Sequence, residues 1–367
     1  MPAYYETGFA VREASWHQLE TLIQKELTLP ADREEAYQLA GHDFEVVDVP
    51  AGTVGRKIDN PNEATGNVVR INGEWHTFRL EDSKKGSYIT QRRQDGSNGP
   101  LHGNFIEIHN TSFENIPNGV GWDLMTALFD QGLKLDTGFV LKGGAICVVT
   151  AFLPEAVYLP GDPSKIFPFV SASWGHDGSK GLNVRSTNVR EVCWNTYSTS
   201  ELIAGAAGTQ FTFRHTKNWR ERVSEAKKVI SGLATQNEAY VELLQRYAET
   251  PVDHATRERF AMAVALDQRA KSTLQFREDV AKGVYSPKVQ RNAEAARDSV
   301  LALFNGPTIP EAHKLTAYGL ILAGGEYLDH VRKYQSQDSY VGRTLLRDEP
   351  CKARLPKLID DLVEVAA

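Results

Sequence analysis

The segment His176-Asp177-Gly178-Ser179 places an imidazole, a carboxylate and a hydroxyl next to one another in the sequence. A serine hydrolase uses these three groups, but neighbouring side chains point apart and cannot form a hydrogen-bonded relay in this order. An Asp-Gly pair is typical of a tight turn. We therefore interpret the segment as a turn between strands.

Cys193 is the thiol whose surroundings could support nucleophilic chemistry. A catalytic thiol needs an exposed, electropositive setting and a partner base, which Arg190 and His215 could supply after folding. A free cysteine is more often a buried packing residue, and this is the interpretation that we adopt. The sequence therefore predicts no catalytic residue and no enzymatic activity.

Cysteines and histidines do not occur at the spacings of a metal site. The three cysteines, Cys147, Cys193 and Cys351, lie far apart, and the ten histidines form no His-Glu-x-x-His pattern. The glycine-rich motifs that bind nucleotide phosphates do not occur in the sequence either. We therefore expect no metal, no cofactor and no disulfide framework.

The strongest functional signal is a basic segment at residues 214–228, in which six cations are opposed only by Glu221 and Glu225. Cations neutralise the phosphates of nucleic acids, and an indole can stack on a base. A solvated face of an amphipathic helix, with a half-buried tryptophan, explains the same pattern. The cations and the tryptophan of the basic segment are Arg214, Lys217, Trp219, Arg220, Arg222, Lys227 and Lys228.

Arginines outside the basic segment could extend the same nucleic-acid track. Arg185 and Arg190 precede it in sequence, and Arg92 and Arg93 lie in a predicted loop after a strand. The chain as a whole has a net charge of −6, although residues 211–300 contain 16 basic and 12 acidic side chains. A nucleic-acid surface is therefore expected to be a local patch.

Apolar periodicity predicts an α+β fold, with an antiparallel sheet and packed helices in the N-terminal half and a helical C-terminal half. Asn72-Gly73 between two alternating runs predicts a hairpin, and Asn188 predicts the start of a helix that continues towards Gly205. Other predicted elements are a helix at 32–39, a loop at 52–65, and helices at 218–233, 237–248, 256–282, 287–304 and 311–334.

These elements divide the chain into three predicted regions. Residues 1–66 form an N-terminal helix and extended segment, residues 67–230 an α/β core with the antiparallel sheet, and residues 231–367 a helical region. Apolar runs are too short to span a membrane, and the first residues lack the pattern of a signal peptide. We therefore expect a cytoplasmic protein without a membrane partner.

The motifs together resemble the phage/plasmid-like proteins of actinobacteriophages, a family named for domain of unknown function nine-three-two. The resemblance implies a phage protein in the host cytoplasm, and it implies no reaction. Its residues are the turn at 176–179, then Val189, Arg190, Val192, Cys193, Asn195, Thr196, Arg214, His215 and Thr216, with weaker matches at Trp16, His17, Glu326, Tyr327, Asp329 and His330.

The order of elements is similar to that of single-strand annealing proteins, which hold single-stranded DNA in a basic groove of a ring or filament. This resemblance implies a protein that binds and anneals single-stranded DNA as a homo-oligomer, such as a ring. An alternative is a phage protein that binds a host or phage protein through its long helices. Binding of labelled single-stranded DNA at two salt concentrations separates the two hypotheses.

Overall fold

A computed structural model describes most of the chain. The described residues are 8–11, 23–25, 27, 31–50, 52–60, 68–71, 74–80, 87–93, 102–109, 115–129, 132–141, 144–176, 181–190, 196–198, 210–213, 233–266, 278–279, 281–333 and 354–364.

The described strands form two sheets. They are β1 (Gly8–Ala10), β2 (Phe44–Pro50), β3 (Gly52–Ile58), β4 (Val68–Ile71), β5 (Glu74–Leu80), β6 (Ser87–Arg93), β7 (His102–His109), β8 (Lys134–Leu141), β9 (Ile146–Phe152), β10 (Val157–Leu159), β11 (Asp162–Gly175), β12 (Leu182–Arg190), β13 (Thr196–Ser198) and β14 (Gln210–Phe213).

Helices lie between the strands and dominate after residue 233. They are α1 (Arg33–Leu39), α2 (Asn118–Phe129), α3 (Leu233–Glu249), α4 (His254–Ala265), α5 (Pro287–Leu303), α6 (Ala317–Glu326) and α7 (Leu355–Glu364), with a 3₁₀ turn at Glu311–His313 and a π-helix at Tyr327–Val331.

The chain folds into two compact units, and neither is continuous in sequence. The sheet unit takes its residues from 1–154, 170–185 and 210–232. The helical unit takes its residues from 155–169, 186–209 and 233–367. Strands β1 and β2, from the first predicted region, pair with later strands of the sheet unit.

The first sheet has eight strands, in the order β1-β8-β9-β11-β12-β13, with β14 also paired to β12 and β10 to β11. Strands β8 and β9 form a hairpin within it, and every residue of the two strands except Lys134 is buried. Such runs are typical of strands that are covered on both faces. Gly144 in the hairpin loop has a φ of +102°, a conformation that glycine adopts without strain.

The second sheet has six strands, in the order β2-β6-β7-β4-β5-β3. The Asn72-Gly73 hairpin is confirmed, because β4 and β5 pair antiparallel with Ile71 opposite Glu74. One pair, β4 with β7, is parallel. Edge strand β3 contains a bulge between Val54 and Lys57, a feature that hinders pairing with another chain.

The helical unit is built around α6, which is buried from Ala317 to Gly325 because its residues are apolar on every side. The hydroxyl of Thr316 accepts a hydrogen bond from the Gly319 N–H and caps its first turn. Helices α3, α4, α5 and α7 contact it. Their core side chains include Tyr240, Phe260, Phe304, Tyr318 and Ile359.

The predicted α+β class is confirmed, and several local predictions are wrong. The helix predicted from Asn188 is not formed at residues 188–190 and 196–198, where Asn188 lies in β12 opposite Tyr197 of β13. Residues 52–58 are a strand and not a loop, and Arg92 and Arg93 end strand β6. In each case pairing with a neighbouring strand outweighs the local turn or cap signal.

Helix α2 approaches Trp174 so closely that Gly121 must lack a side chain, because an added Cβ would overlap the indole ring. We expect Gly121→Ala to lower the free energy of unfolding by about 1–3 kcal/mol, through forced displacement of a buried ring. Urea denaturation followed by circular dichroism measures this change.

Gly119 provides a matched control in the same helix, since a Cβ at this position meets no atom within 4 Å. We expect Gly119→Ala to be neutral or to stabilise the protein by up to about 1 kcal/mol. Equal effects of the two substitutions would show that α2 does not pack against Trp174.

Candidate functional site

The described residues include only part of the predicted nucleic-acid track. Arg185 and Arg190 lie in β12, and Arg185 is 7% exposed. Arg185 stays a predicted member of the track, and most of its surface is enclosed by the protein. Outside the described residues lie Arg214, Lys217, Trp219, Arg220, Arg222, Lys227 and Lys228.

His176, the imidazole of the predicted turn, is buried at the end of β11. Its backbone N–H donates to the Ala145 carbonyl at 2.8 Å, and its Nε2 lies 2.8 Å from Oδ1 of Asn118. Residues 177–179 are outside the described residues, so the turn itself stays a prediction. The imidazole belongs to the interior of the sheet unit.

Buried polar and aromatic side chains surround Asn118, and we name this group the Asn118 cluster. Asn118 is the first residue of α2, and its side chain is 3% exposed. Its partners come from the segment after α1, from α2, from β9 and from the end of β11. The cluster consists of His42, Asn118, Trp122, Cys147, Trp174 and His176.

The amide of Asn118 joins these segments through both of its ends. Its Nδ2 donates to the backbone carbonyls of His42 at 3.0 Å and Phe44 at 3.1 Å. Its Oδ1 accepts from Nε1 of Trp174 at 2.8 Å, from His176 Nε2 at 2.8 Å and from Cys147 Sγ at 3.5 Å. Because Oδ1 can only accept, His176 carries its proton on Nε2.

His42 uses both nitrogens of its ring. Its Nε2 donates to the Phe139 carbonyl at 3.0 Å, and its Nδ1 accepts from Nε1 of Trp122 at 2.9 Å. The indole of Trp122 can only donate, so Nδ1 must be unprotonated and the imidazole neutral. Burial lowers the pKa of His42 to about 4, although the bond to the Phe139 carbonyl opposes this shift.

Cys147, His176 and Asn118 are the residue types of a cysteine-protease triad, but their arrangement does not support that chemistry. The Cys147 Sγ lies 4.0 Å from Nε2 of His176, and Nε2 already donates to Asn118. Burial raises the pKa of the Cys147 thiol, and both residues are inaccessible to solvent. The cluster therefore stabilises the fold and does not generate a thiolate nucleophile.

A second buried polar group lies in the helical unit, at the turn between β10 and β11. Tyr318 donates its hydroxyl hydrogen to Oδ2 of Asp162 at 2.8 Å, and the Ser164 N–H donates to Oδ1 at 2.9 Å. His313 Nε2 donates to the Pro160 carbonyl at 2.9 Å. Gly161 has a φ of +80°, which completes this turn. These contacts fix the turn on α6 and the 3₁₀ segment before it.

Two kinds of site are missing from the described part of the chain. Within the described ranges, no group of three or more His, Cys, Asp or Glu side chains could hold a metal ion. Among those same residues, no helix is long and apolar enough to cross a membrane.

The Asn118 cluster was not predicted from the sequence. Asn118, Cys147 and His176 are separated by about thirty residues each, and His42 lies much further away. Only the folded sheet brings them together, since β9 and β11 are adjacent and α2 covers them. The available signal was the presence of tryptophan and histidine in predicted core elements, because such side chains usually have a polar partner when they are buried.

A protein-family model described as a domain of unknown function (DUF932) matches residues 106–348, more than half of the chain. No curated protein and no solved structure match the chain. The matched region contains the Asn118 cluster except for His42, and it ends before α7.

Acid should weaken the sheet unit through His42. Its pKa is about 4 in the folded chain and 6.5 ordinarily, so the unfolded chain binds more protons between these values. The contribution of neutral His42 is complete above pH 6.5, and about 3 kcal/mol should be lost as the pH falls to 4. Urea denaturation across this pH range measures the loss.

Two substitutions separate His42 from other titrating groups. His42→Gln retains an amide donor and acceptor but cannot be protonated, so its stability should change less between pH 6.5 and 4. His254→Gln is the control, because His254 is exposed at the start of α4. A pH dependence that is unchanged in His42→Gln would contradict the assignment.

Proposed function

We propose that this chain, which belongs to the DUF932 family, is a phage protein that binds and anneals single-stranded DNA without covalent chemistry. The observation that carries the proposal is the basic segment at residues 214–228, with six cations, one tryptophan and two acidic residues. Phosphate neutralisation and stacking on an indole account for this composition.

The position of strand β14 supports the proposal, because the basic segment begins directly after this strand. Strand β14 pairs on one side with β12, with Phe213 opposite Leu182, and the chain enters the basic segment directly after Phe213. A cationic segment that is anchored at one end by a strand loses less conformational entropy on binding than a free tail does. Arg190, at the end of β12, stays a proposed member of the track.

Annealing needs a surface that holds the sugar-phosphate backbone and leaves the base edges free to pair. Lys227 and Lys228 follow Arg220 by seven and eight residues, a spacing that would place the three on one face of the helix predicted at 218–233. Arg214, Lys217, Arg222 and Trp219 complete the proposed surface. The burial of Cys147 and His176 is consistent with a function that requires no nucleophile.

The proposal includes assembly into a homo-oligomer, such as a ring, in the host cytoplasm. A ring would align the basic segments of several chains along one strand of DNA, and linked binding sites increase the overall affinity. A mass above the 40.8 kDa of the monomer in light scattering would support this part of the proposal.

Binding to a host or phage protein is the second candidate. The described part of the helical unit exposes five large apolar side chains, Tyr158, Val284, Val289, Leu315 and Val331. The acidic balance of residues 1–210, with 17 basic and 26 acidic side chains, also suits a protein partner better than DNA. This candidate predicts no affinity for single-stranded DNA at low salt.

Charge reversal tests the DNA-binding proposal. We expect the triple variant Arg220→Glu, Lys227→Glu and Lys228→Glu to lose binding of labelled single-stranded DNA in an anisotropy titration. Single neutralisations, such as Lys227→Gln, should each lower the salt slope by roughly 0.7 with little change in sequence preference. Circular dichroism of each variant should match that of the original chain.

A matched control reverses three cations outside the basic segment, Arg56, Lys288 and Arg291, all of which are exposed. It produces the same change in net charge, so a general repulsion of DNA would weaken both triple variants equally. If the folded 220/227/228 variant keeps the original affinity and salt dependence, the basic segment is only a solvated surface. The protein-binding candidate would then take its place.

A further inference from the structure

Arg257 is a buried cation of the helical unit. It lies in the second turn of α4, and 8% of its surface is exposed. The core-facing residues Phe260, Ala261 and Val264 follow it at spacings of three, four and seven, so Arg257 is on the buried face of α4. An arginine at such a position is expected to have a partner, because burial of an unpaired charge is unfavourable.

An aromatic ring covers this guanidinium, and no counter-ion lies beside it in the described ranges. Its Cζ lies 4.2 Å from the centroid of the Phe304 ring, at the end of α5. Its Nε is enclosed without a hydrogen-bond acceptor, and no carboxylate in the described ranges forms an ion pair with it. Burial lowers the pKa of Arg257, but a guanidinium stays protonated at any physiological pH.

The neighbouring Arg259 shares an enclosed Nε without a hydrogen-bond acceptor, but it is less buried than Arg257 and its guanidinium has a polar partner. Arg259 is only partly buried, and its Nη2 donates to Oγ1 of Thr256 at 2.9 Å. The carboxylate of Asp253, the nearest acidic residue at the start of α4, accepts from the Thr256 N–H at 2.6 Å. Thr256 and Asp253 therefore have partners other than Arg257, whose Nε lacks an acceptor.

We propose that Arg257 is the anchor of a binding site for a phosphate group in the helical unit. Stacking on Phe304 occupies a face of the guanidinium and fixes its orientation, while the N–H groups in its plane stay available. Two parallel N–H donors match two oxygens of a phosphate. Phosphate carries between one and two negative charges near neutral pH, so it compensates a desolvated cation better than a carboxylate does.

The phosphate group could come from a free phosphate compound or from a DNA backbone. The proposal does not rest on the binding of single-stranded DNA, because inorganic phosphate alone is the first probe. A thymidine oligonucleotide is the second probe. Stabilisation of the chain by inorganic phosphate assigns the site to a small ligand. Stabilisation by the oligonucleotide alone assigns the site to a DNA backbone, provided that Arg257→Met abolishes this stabilisation.

Thermal unfolding of the complete chain tests the site. We expect sodium phosphate at ten times its dissociation constant to raise Tm by roughly 2 °C above the value in sodium chloride of equal ionic strength. Sodium acetate should have a smaller effect. Arg259→Met is the matched control, and it should keep the response to phosphate.

Arg257→Met replaces the guanidinium by an apolar side chain of similar length. Without phosphate this variant should unfold at the same temperature as the original chain or higher, because it no longer buries an unpaired charge. It should show no specific response to phosphate or to the oligonucleotide. Isothermal titration of the original chain with phosphate, with about one site per chain expected, tests the proposal even if the variant does not fold.

The proposal is overturned if neither probe raises Tm beyond the salt control, or if Arg257→Met responds as the original chain does. It is also overturned if Arg257→Met folds but loses stability equally with and without phosphate. That outcome would make Arg257 a packing residue whose only partner is Phe304.

Discussion

Five hydrogen bonds converge on the side-chain amide of Asn118, and the arrangement of the sheet unit depends on them. Two bonds hold the backbone at His42 and Phe44, where the chain passes from α1 into the second sheet. Three bonds hold the side chains of Cys147 in β9, Trp174 in β11 and His176 directly after β11. A buried amide must satisfy all its donors and acceptors, so no segment can move without leaving an unpaired group.

Close packing at Gly121 and the neutral imidazole of His42 are consequences of this constraint. Asn118 bonds to Trp174 while α2 lies directly on the indole ring, which leaves no room for a side chain at position 121. Trp122, on the same helix, then donates to His42 and fixes its tautomer. Through Asn118 and Trp122, helix α2 thus positions residues from three parts of the chain, namely the segment after α1, β9 and the end of β11.

Local patterns predicted the hairpin at Asn72-Gly73, helix α5 from Pro287 and the change from strands to helices, because these depend on neighbouring residues. The strand at Asn188 was missed because its cap-forming residue type favoured a helix, whereas pairing with β13 decides the outcome. The Asn118 cluster and unpaired Arg257 depend on distant segments, and no spacing in the sequence reveals them. Trp219 and the other residues of the basic segment still rest on sequence alone.

The long strand β11 has a consequence for the synthesis of the protein. Its first half belongs to the helical unit and its second half to the sheet unit, and the chain passes between the units five times. A ribosome therefore releases residues of the helical unit before the sheet unit is complete at residue 232. Neither unit exists as a continuous fragment, so gene fragments cut at a single boundary would separate residues that fold together.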